Sequence, residues 1–418
     1  MSSQPQIQAP TMKSLFANRF VQSILLSGLF LQLGIWVRNF AILMFVTEQT
    51  NKDPFAISMI SVAEFGPIFL FSFIGGTFAD RWRPKRTMVL CDLLSALSIF
   101  AVLLALVFGG WKAIFFATLV SSVLSQFSQP SGMKLFKLHV PQVLMQLGMS
   151  MNQTLQSIFT VLGPIIGTLI YFQFGIYVSI AIMGICFLLS ALVLAFLPAD
   201  QKVETVLTTN VSAEMKMGLR YVFSNKLFLY MGGFFLAAGM GLGLVNPLGI
   251  FLVTENLGLS AHNLQWFTAL NGAGMILGGV GAMALSKKIT PQKMLLIGFI
   301  SSAVSVAVLG SVNLVWAALL AQFVFGIMGP PIHIACNTLI LTNAEESFVG
   351  RVNGILNPLF MGGMVLNMSL VGLLKAEYPL IVMYLMASSL FLIGALTLLP
   401  MLKLKSAKQV KAIPMQHH

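Results

Sequence analysis

Arg38 and Glu64 are the only full charges placed deep within apolar stretches of this 418-residue chain. They lie on consecutive stretches, residues 20–46 and 56–78, and their numbers average to the middle of the polar turn at 47–53. An antiparallel hairpin therefore brings them to one depth. Asp53-Pro54 can start the second stretch, with Asp as cap and Pro at the first helical position. Glu64 then lies roughly 15 Å along the helix at 1.5 Å per residue, near the middle of a bilayer core about 30 Å thick. An unpaired Arg there costs at least about 2.5–3.5 kcal/mol, so Glu64 is its expected partner. The pair reads in two ways. It is a fixed structural ion pair, or Glu64 alternates between Arg38 and a proton. In the second case, withdrawing the counter-charge from a buried carboxylate favours its protonation. His333 is the next titratable candidate within a span.

Neutral polar residues are sparse in the apolar stretches. Gln32 and Asn39 are seven apart and share a helix face; Gln126, Asn246 and His333 lie on later stretches. Each reads equally as a ligand contact or as an interhelical hydrogen bond. Asp92, about one turn into the third stretch, is expected to pair with the nearby Arg81 or Arg86 at a gate. Gly163-Pro164-Ile165-Ile166-Gly167 removes one backbone donor and two side chains, which predicts a tight, kinked helix interface. Cys91, Cys186 and Cys336 lack CxxC spacing, so neither a disulfide framework nor a metal site is expected. No phosphate-binding loop or nucleophile–base motif appears, so neither enzymatic activity nor a cofactor is expected.

The elements that must position these residues are membrane helices. Hydrophobic residues make up 57% of the chain and charged residues 9%, against about 25% charged in soluble domains. Twelve spans are expected, at 20–46, 56–78, 87–108, 113–128, 143–172, 176–197, 227–254, 264–285, 294–312, 315–341, 349–374 and 380–402, with the fourth extending past Pro130. The fold class is thus all-α, in two six-helix bundles. The net charge of +12 sits between apolar spans, which argues against nucleic acid. Bases concentrate in alternate loops, leaving Lys52, Lys112 and Lys375 outside, so both termini face the cytoplasm. No cleavable signal is expected before the first span. The expected domains are a cytoplasmic N-terminus (1–19), a first bundle (20–197), a cytoplasmic linker (198–226), a second bundle (227–402) and a cytoplasmic tail (403–418). Within the linker, Met215, Leu219 and Val222 at helical spacing beside Lys216 and Arg220 predict an amphipathic helix on the inner membrane face. The halves repeat at an offset of 205, matching Gly76 to Gly281 and Asn152 to Asn357. Internal repeats with a site at their interface are the transporter architecture.

The loop after the second span runs Gly76-x-x-x-Asp80-Arg81, followed by Arg83, Lys85 and Arg86. It resembles the cytoplasmic gate latch of the major facilitator superfamily, with Arg83 where that family commonly has Gly. The Gly163-Pro164 segment is similar to the helix-5 signature of its drug:proton antiporters, with Thr168 in place of the last Gly. In those proteins helix 5 packs on helix 8, and Gly272, Gly274, Gly278, Gly279 and Gly281 are available on the eighth span here. With Asp92 and Gly350-Arg351-Val352-x-Gly354, the whole chain resembles the macrolide-efflux branch. The resemblance implies a monomer in the bacterial cytoplasmic membrane that exports apolar or cationic small molecules in exchange for protons. It also implies a cavity lined by the first, fourth, seventh and tenth spans, hence by Gln32, Asn39, Gln126, Asn246 and His333. A lipid or lysolipid flippase and a transport-dead sensor or scaffold are the competing readings.

Overall fold

The computed structural model describes residues 18–198, 211–286, 288–345 and 348–403, with the side chains of 72–81, 142, 143, 146, 211–214 and 403 outside the description. The side chains of Asp80 and Arg81 and the surroundings of Gly76 thus lie outside the description, although the backbone there is helical. The described residues form helices α1 (Arg19–Gln49), α2 (Pro54–Arg81), α3 (Pro84–Val107) and α4 (Ile114–His139). One long helical stretch, Gln142–Ala195, is broken at Gly175, whose φ of 75° and ψ of −177° favour a residue without Cβ. We call its arms α5 (142–174) and α6 (176–195). Then follow α7 (Val211–Ser224), α8 (Lys226–Phe251), α9 (Leu264–Leu285), α10 (Pro291–Ser311), α11 (Val315–Asn343), α12 (Val349–Glu377) and α13 (Leu380–Leu398).

Helix starts follow the local chemistry. The Asp53 carboxylate accepts from the backbone N–H of Phe55 and of Ala56, each at 3.2 Å, so Asp53 caps α2 as the sequence suggests. Asn225 caps α8 by accepting from Leu227 N–H at 3.0 Å. Pro84 and Pro291 stand at the starts of α3 and α10. Ten helical stretches among the described residues are long and apolar enough to cross a bilayer. Splitting the α5–α6 stretch at Gly175 and adding the serine-rich α4 gives the twelve spans, and α4 runs past Pro130 to His139. Their outer faces are apolar: Leu97, Leu104 and Val280 are 63%, 59% and 67% exposed. A bilayer suits such faces as solvent, whereas water does not.

By contacts the chain divides into two compact units, Met1–Ile42 with Leu70–Thr205, and Leu43–Phe69 with Val206–His418. In the first, α3 packs on α4 and α6, and α1 meets α5. In the second, α8 packs on α12 and α13, α9 on α11, and α10 on α11 and α13. The repeat is visible in these seams with a shift of one residue from the sequence alignment. A Cβ on Gly28 of α1 would lie 3.5 Å from Leu155 of α5, and one on Gly232 of α8 would lie 3.6 Å from Leu359 of α12. Both members of that contact are related by about 204 positions, because helices repeat by what they touch and not by chance identities.

Two stretches show how neighbouring helices bear on local structure. Gly329-Pro330-Pro331 suggests a break, yet α11 continues through it. The prolines remove hydrogen bonds to the Gly326 and Ile327 carbonyls. Gly278 of α9 comes against the Ile327 carbonyl so closely that a Cβ would not fit, and neighbouring helices of this kind re-satisfy proline-freed groups in membranes. Asn271 adds a hydrogen bond from its side-chain amide to the Gln322 carbonyl at 3.1 Å. In the linker, α7 occupies the stretch that reads as amphipathic and is fastened to the start of α12. Tyr221 stacks on Phe348 at 4.3 Å, and Gly218 lies against Arg351.

Candidate functional site

Arg38 of α1 is 4% exposed. Its Nε donates to Asn39 Oδ1 at 2.9 Å, and a terminal guanidinium nitrogen donates to the Ser121 hydroxyl on α4. Ser121 in turn donates to the Thr118 carbonyl at 3.2 Å. The guanidinium is therefore held by side chains of two helices, a fixed fork for a planar cation. Asn39 is part of this support, which gives it a partner inside the first unit besides its expected cavity face. Glu64 is half-buried on α2 and belongs to the second unit.

Asp92 lies in the interior of the first unit. It is 2% exposed, and its Oδ2 accepts from the Ser190 hydroxyl of α6 at 2.5 Å. Ser190 also shares a hydrogen bond of 2.7 Å with Ser27 of α1. A buried chain of hydroxyls and carboxyl thus ties α1, α3 and α6 together. Among the described residues the Asp92 carboxyl meets the Ser190 hydroxyl, and the side chain of Arg81, one of the two bases expected beside it, lies outside the description. Arg86 is exposed. Lys85 donates to the carbonyls of Ala195, at 2.9 Å, and Leu197, where its charge complements the α6 C-terminus. One helix turn of separation from a basic loop is not a contact when the intervening residues turn the carboxyl inward.

The Gly163-Pro164 notch is occupied within the first unit. The Trp36 ring leaves no room for a Cβ at Gly163, and a Cβ at Gly167 would lie 2.7 Å from the Trp36 carbonyl oxygen. At Gly163 and Gly167 the close neighbour within the first unit is α1. Gly274 and Gly278 of α9 meet α11 in the same manner.

The remaining candidates do not converge within one unit. Gln32 is half-buried and Asn246 exposed. Gln126, 8% exposed, turns back onto its own helix, donating to Ser125 Oγ at 3.0 Å. His333 is exposed, and its Nδ1 lies 3.3 Å from the Asn337 amide nitrogen. Sequence reasoning missed the serines, because Ser27, Ser121 and Ser190 look innocuous among apolar neighbours. The available signal was the serine frequency of the fourth span. It also passed over Gln153 and Gln156 beside Asn152, three amides within five residues of one span. Among the described residues no group of three or more His, Cys, Asp or Glu is placed to hold a metal ion.

The family model described as Major Facilitator Superfamily matches residues 24–249 and 234–416. The MFS-type transporter YkuC of Bacillus subtilis is 26% identical over 87% of this chain and 87% of its own. The multidrug efflux pump Tap of Mycolicibacterium fortuitum is 26% identical over 78% of this chain and 81% of its own. The crystal structure of the nucleoside transporter NupG superposes with a TM-score of 0.72 at 15% identity, covering 93% of this chain and all of that one.

Proposed function

Since the chain belongs to the Major Facilitator Superfamily and is a multi-pass membrane transporter, we propose that it exports small apolar or cationic compounds from the bacterial cytoplasm in exchange for protons. Its likeness to an efflux pump supports the direction and the substrate class, and the motifs of its loop and fifth span support the macrolide-efflux branch. The observation that carries the coupling is Arg38, buried at 4% exposure within a span and clamped by Asn39 and Ser121. Burying a guanidinium in a bilayer costs several kcal/mol on the order-of-magnitude scales for such groups, and intramembrane charges mark ion pathways. Glu64 is the acid on the next helix in the chain, and we assign it the proton, with Arg38 as its counter-charge. Rocking of the halves during alternating access withdraws that counter-charge, and the carboxyl takes up a proton.

The cytoplasmic latch is assigned to Gly76, Asp80 and Arg81, with Lys85 and Arg86 as the flanking bases. The substrate cavity is assigned to Gln32, Asn39, Gln126, Asn246 and His333. The protein acts as a monomer in the cytoplasmic membrane with both termini inside. Ethidium accumulation in cells with and without the gene tests the export reading. Expressing cells hold less ethidium, and a protonophore abolishes the difference. Equal accumulation in both, with the protein present in the membrane, contradicts export of cations.

A further inference from the structure

The mid-helix stretch of α5 carries chemistry that packing does not explain. Asn152, Gln153 and Gln156 are all exposed. Gln156 stands four and three residues beyond the other two, so the three amides share one helix face. Among the described residues none of their side-chain amides has a hydrogen-bond partner. The hydroxyls alongside are spent on their own helix: Thr154 donates to the Ser150 carbonyl at 2.8 Å, Ser157 to Gln153 at 3.0 Å and Thr160 to Gln156 at 2.9 Å. The amides alone are left with unused donors and acceptors.

Their depth makes this costly. Residues 142–174 extend roughly 50 Å at 1.5 Å per residue, well beyond a hydrocarbon core of about 30 Å, so 152–156 falls inside the core. An amide there without a partner costs on the order of 1–3 kcal/mol, and three side by side exclude lipid tails as their neighbour. The repeat supplies an internal control. Taking the contact-based shift of about 204, α12 carries Leu356, Asn357 and Phe360 at the corresponding positions. Leu356 is fully buried. The same helix in the same architecture is built with one amide in place of three, so the fold does not require the strip.

We propose that Asn152, Gln153 and Gln156 form a hydrogen-bonding subsite on α5 for uncharged, oxygen-bearing substrates. Each amide offers two N–H donors and one carbonyl acceptor and carries no charge. Such a strip recognises carbonyl and hydroxyl groups and gives a cation no counter-ion. This deepens the transporter reading and rests on it. It adds a neutral class of substrate, held by directional bonds, to the apolar and cationic compounds proposed above.

Equilibrium binding to the purified full chain tests it with two probes. Chloramphenicol is uncharged and bears amide, hydroxyl and nitro oxygens; tetraphenylphosphonium is a cation without hydrogen-bonding groups. The double variant Gln153→Leu with Gln156→Leu is expected to weaken chloramphenicol binding by about tenfold, the loss of one or two net hydrogen bonds. Tetraphenylphosphonium binding stays at its wild-type level, which also reports that the variant is folded. Gln156→Asn, which keeps an amide, retains most chloramphenicol binding. Equal loss of both probes, unchanged chloramphenicol binding in the double variant, or no chloramphenicol binding by the wild type overturns the subsite. Binding is read without transport. A protein that binds chloramphenicol through these amides but fails to move it across vesicles supports the subsite and contradicts export alone.

Discussion

The junction of α1, α3 and α6 and its repeat at α8, α10 and α13 hold equivalent helices together with a different balance of polar and aromatic contacts. In the first, Ser27, Ser190 and Asp92 form a buried hydrogen-bonded chain. In the second, Phe299 lies 4.2 Å from Phe234 and 5.6 Å from Phe391 by ring centroids. At about 204 positions from Ser190 stands Gly394, where an added Cβ would lie 2.7 Å from the Phe299 ring. The contrast extends beyond these junctions. Arg38 and Asp92 are buried ionisable residues of the first unit, whereas among the described residues of α8–α13 the buried polar side chains are Ser302, Ser305, Asn367 and Ser388. One architecture thus tolerates either solution. In the second junction the aromatic packing is joined by one buried hydrogen bond, Ser388 to the Ala303 carbonyl at 2.8 Å, so cohesion there needs no buried carboxyl.

This difference can be broken from either side. The largest effect is expected of Arg38→Ala, which strands its partners and removes the proposed counter-charge. Leaving Asn39 and Ser121 without their donor costs about 1–3 kcal/mol for each, so both membrane yield and transport fall. Western blotting of membranes beside vesicle uptake checks this, and normal yield with normal uptake removes Arg38 from the account. Phe299→Ala comes next, with a loss of about 3–5 kcal/mol at the upper end of core truncations. Thermal unfolding in detergent should drop markedly while uptake per folded molecule is retained. A parallel loss of uptake per molecule gives the aromatic junction a functional part and blurs the comparison.

Ser190→Ala leaves the Asp92 carboxyl without its donor at a cost of about 1–3 kcal/mol. Here the order reverses: uptake per folded molecule falls more than thermal stability, and Ser190→Thr, which keeps the hydroxyl, restores it. The smallest effect is that of Lys85→Ala, which removes a charge from the α6 C-terminus and is worth about 0.3–1 kcal/mol. Its small shift in unfolding temperature should shrink further in high salt.

Much of this architecture is legible in the sequence because it is written in local signals. Runs of apolar residues of bilayer length fix the spans, Asp53-Pro54 fixes the start of α2, and Gly163-Pro164 announces a close helix contact. What sequence does not carry is the partner. Ser27 and Ser190 are 163 residues apart, and a serine that bridges two helices is written like one that bonds its own carbonyl. Asp92 lies beside a basic loop in the chain, yet its carboxyl turns to α6. Pro330-Pro331 reads as a break, because the glycines on α9 that accommodate the freed carbonyls belong to another helix. The repeat is detectable from matched residues, but its register emerges only from paired contacts such as Gly28 with Leu155 and Gly232 with Leu359. The three amides of α5 were visible as residues and became informative only through their exposure and lack of partners.

The central claim is that Glu64 carries the proton that drives transport. Inverted membrane vesicles acidified inside, loaded with equal amounts of wild type or Glu64→Gln, test it through uptake of tetraphenylphosphonium with and without the pH gradient. The account predicts that wild-type uptake collapses when the gradient is dissipated, whereas the variant shows the same low uptake in both conditions. Gradient-dependent uptake at the wild-type level in Glu64→Gln would contradict it and move the coupling site elsewhere, with His333 the next residue to test.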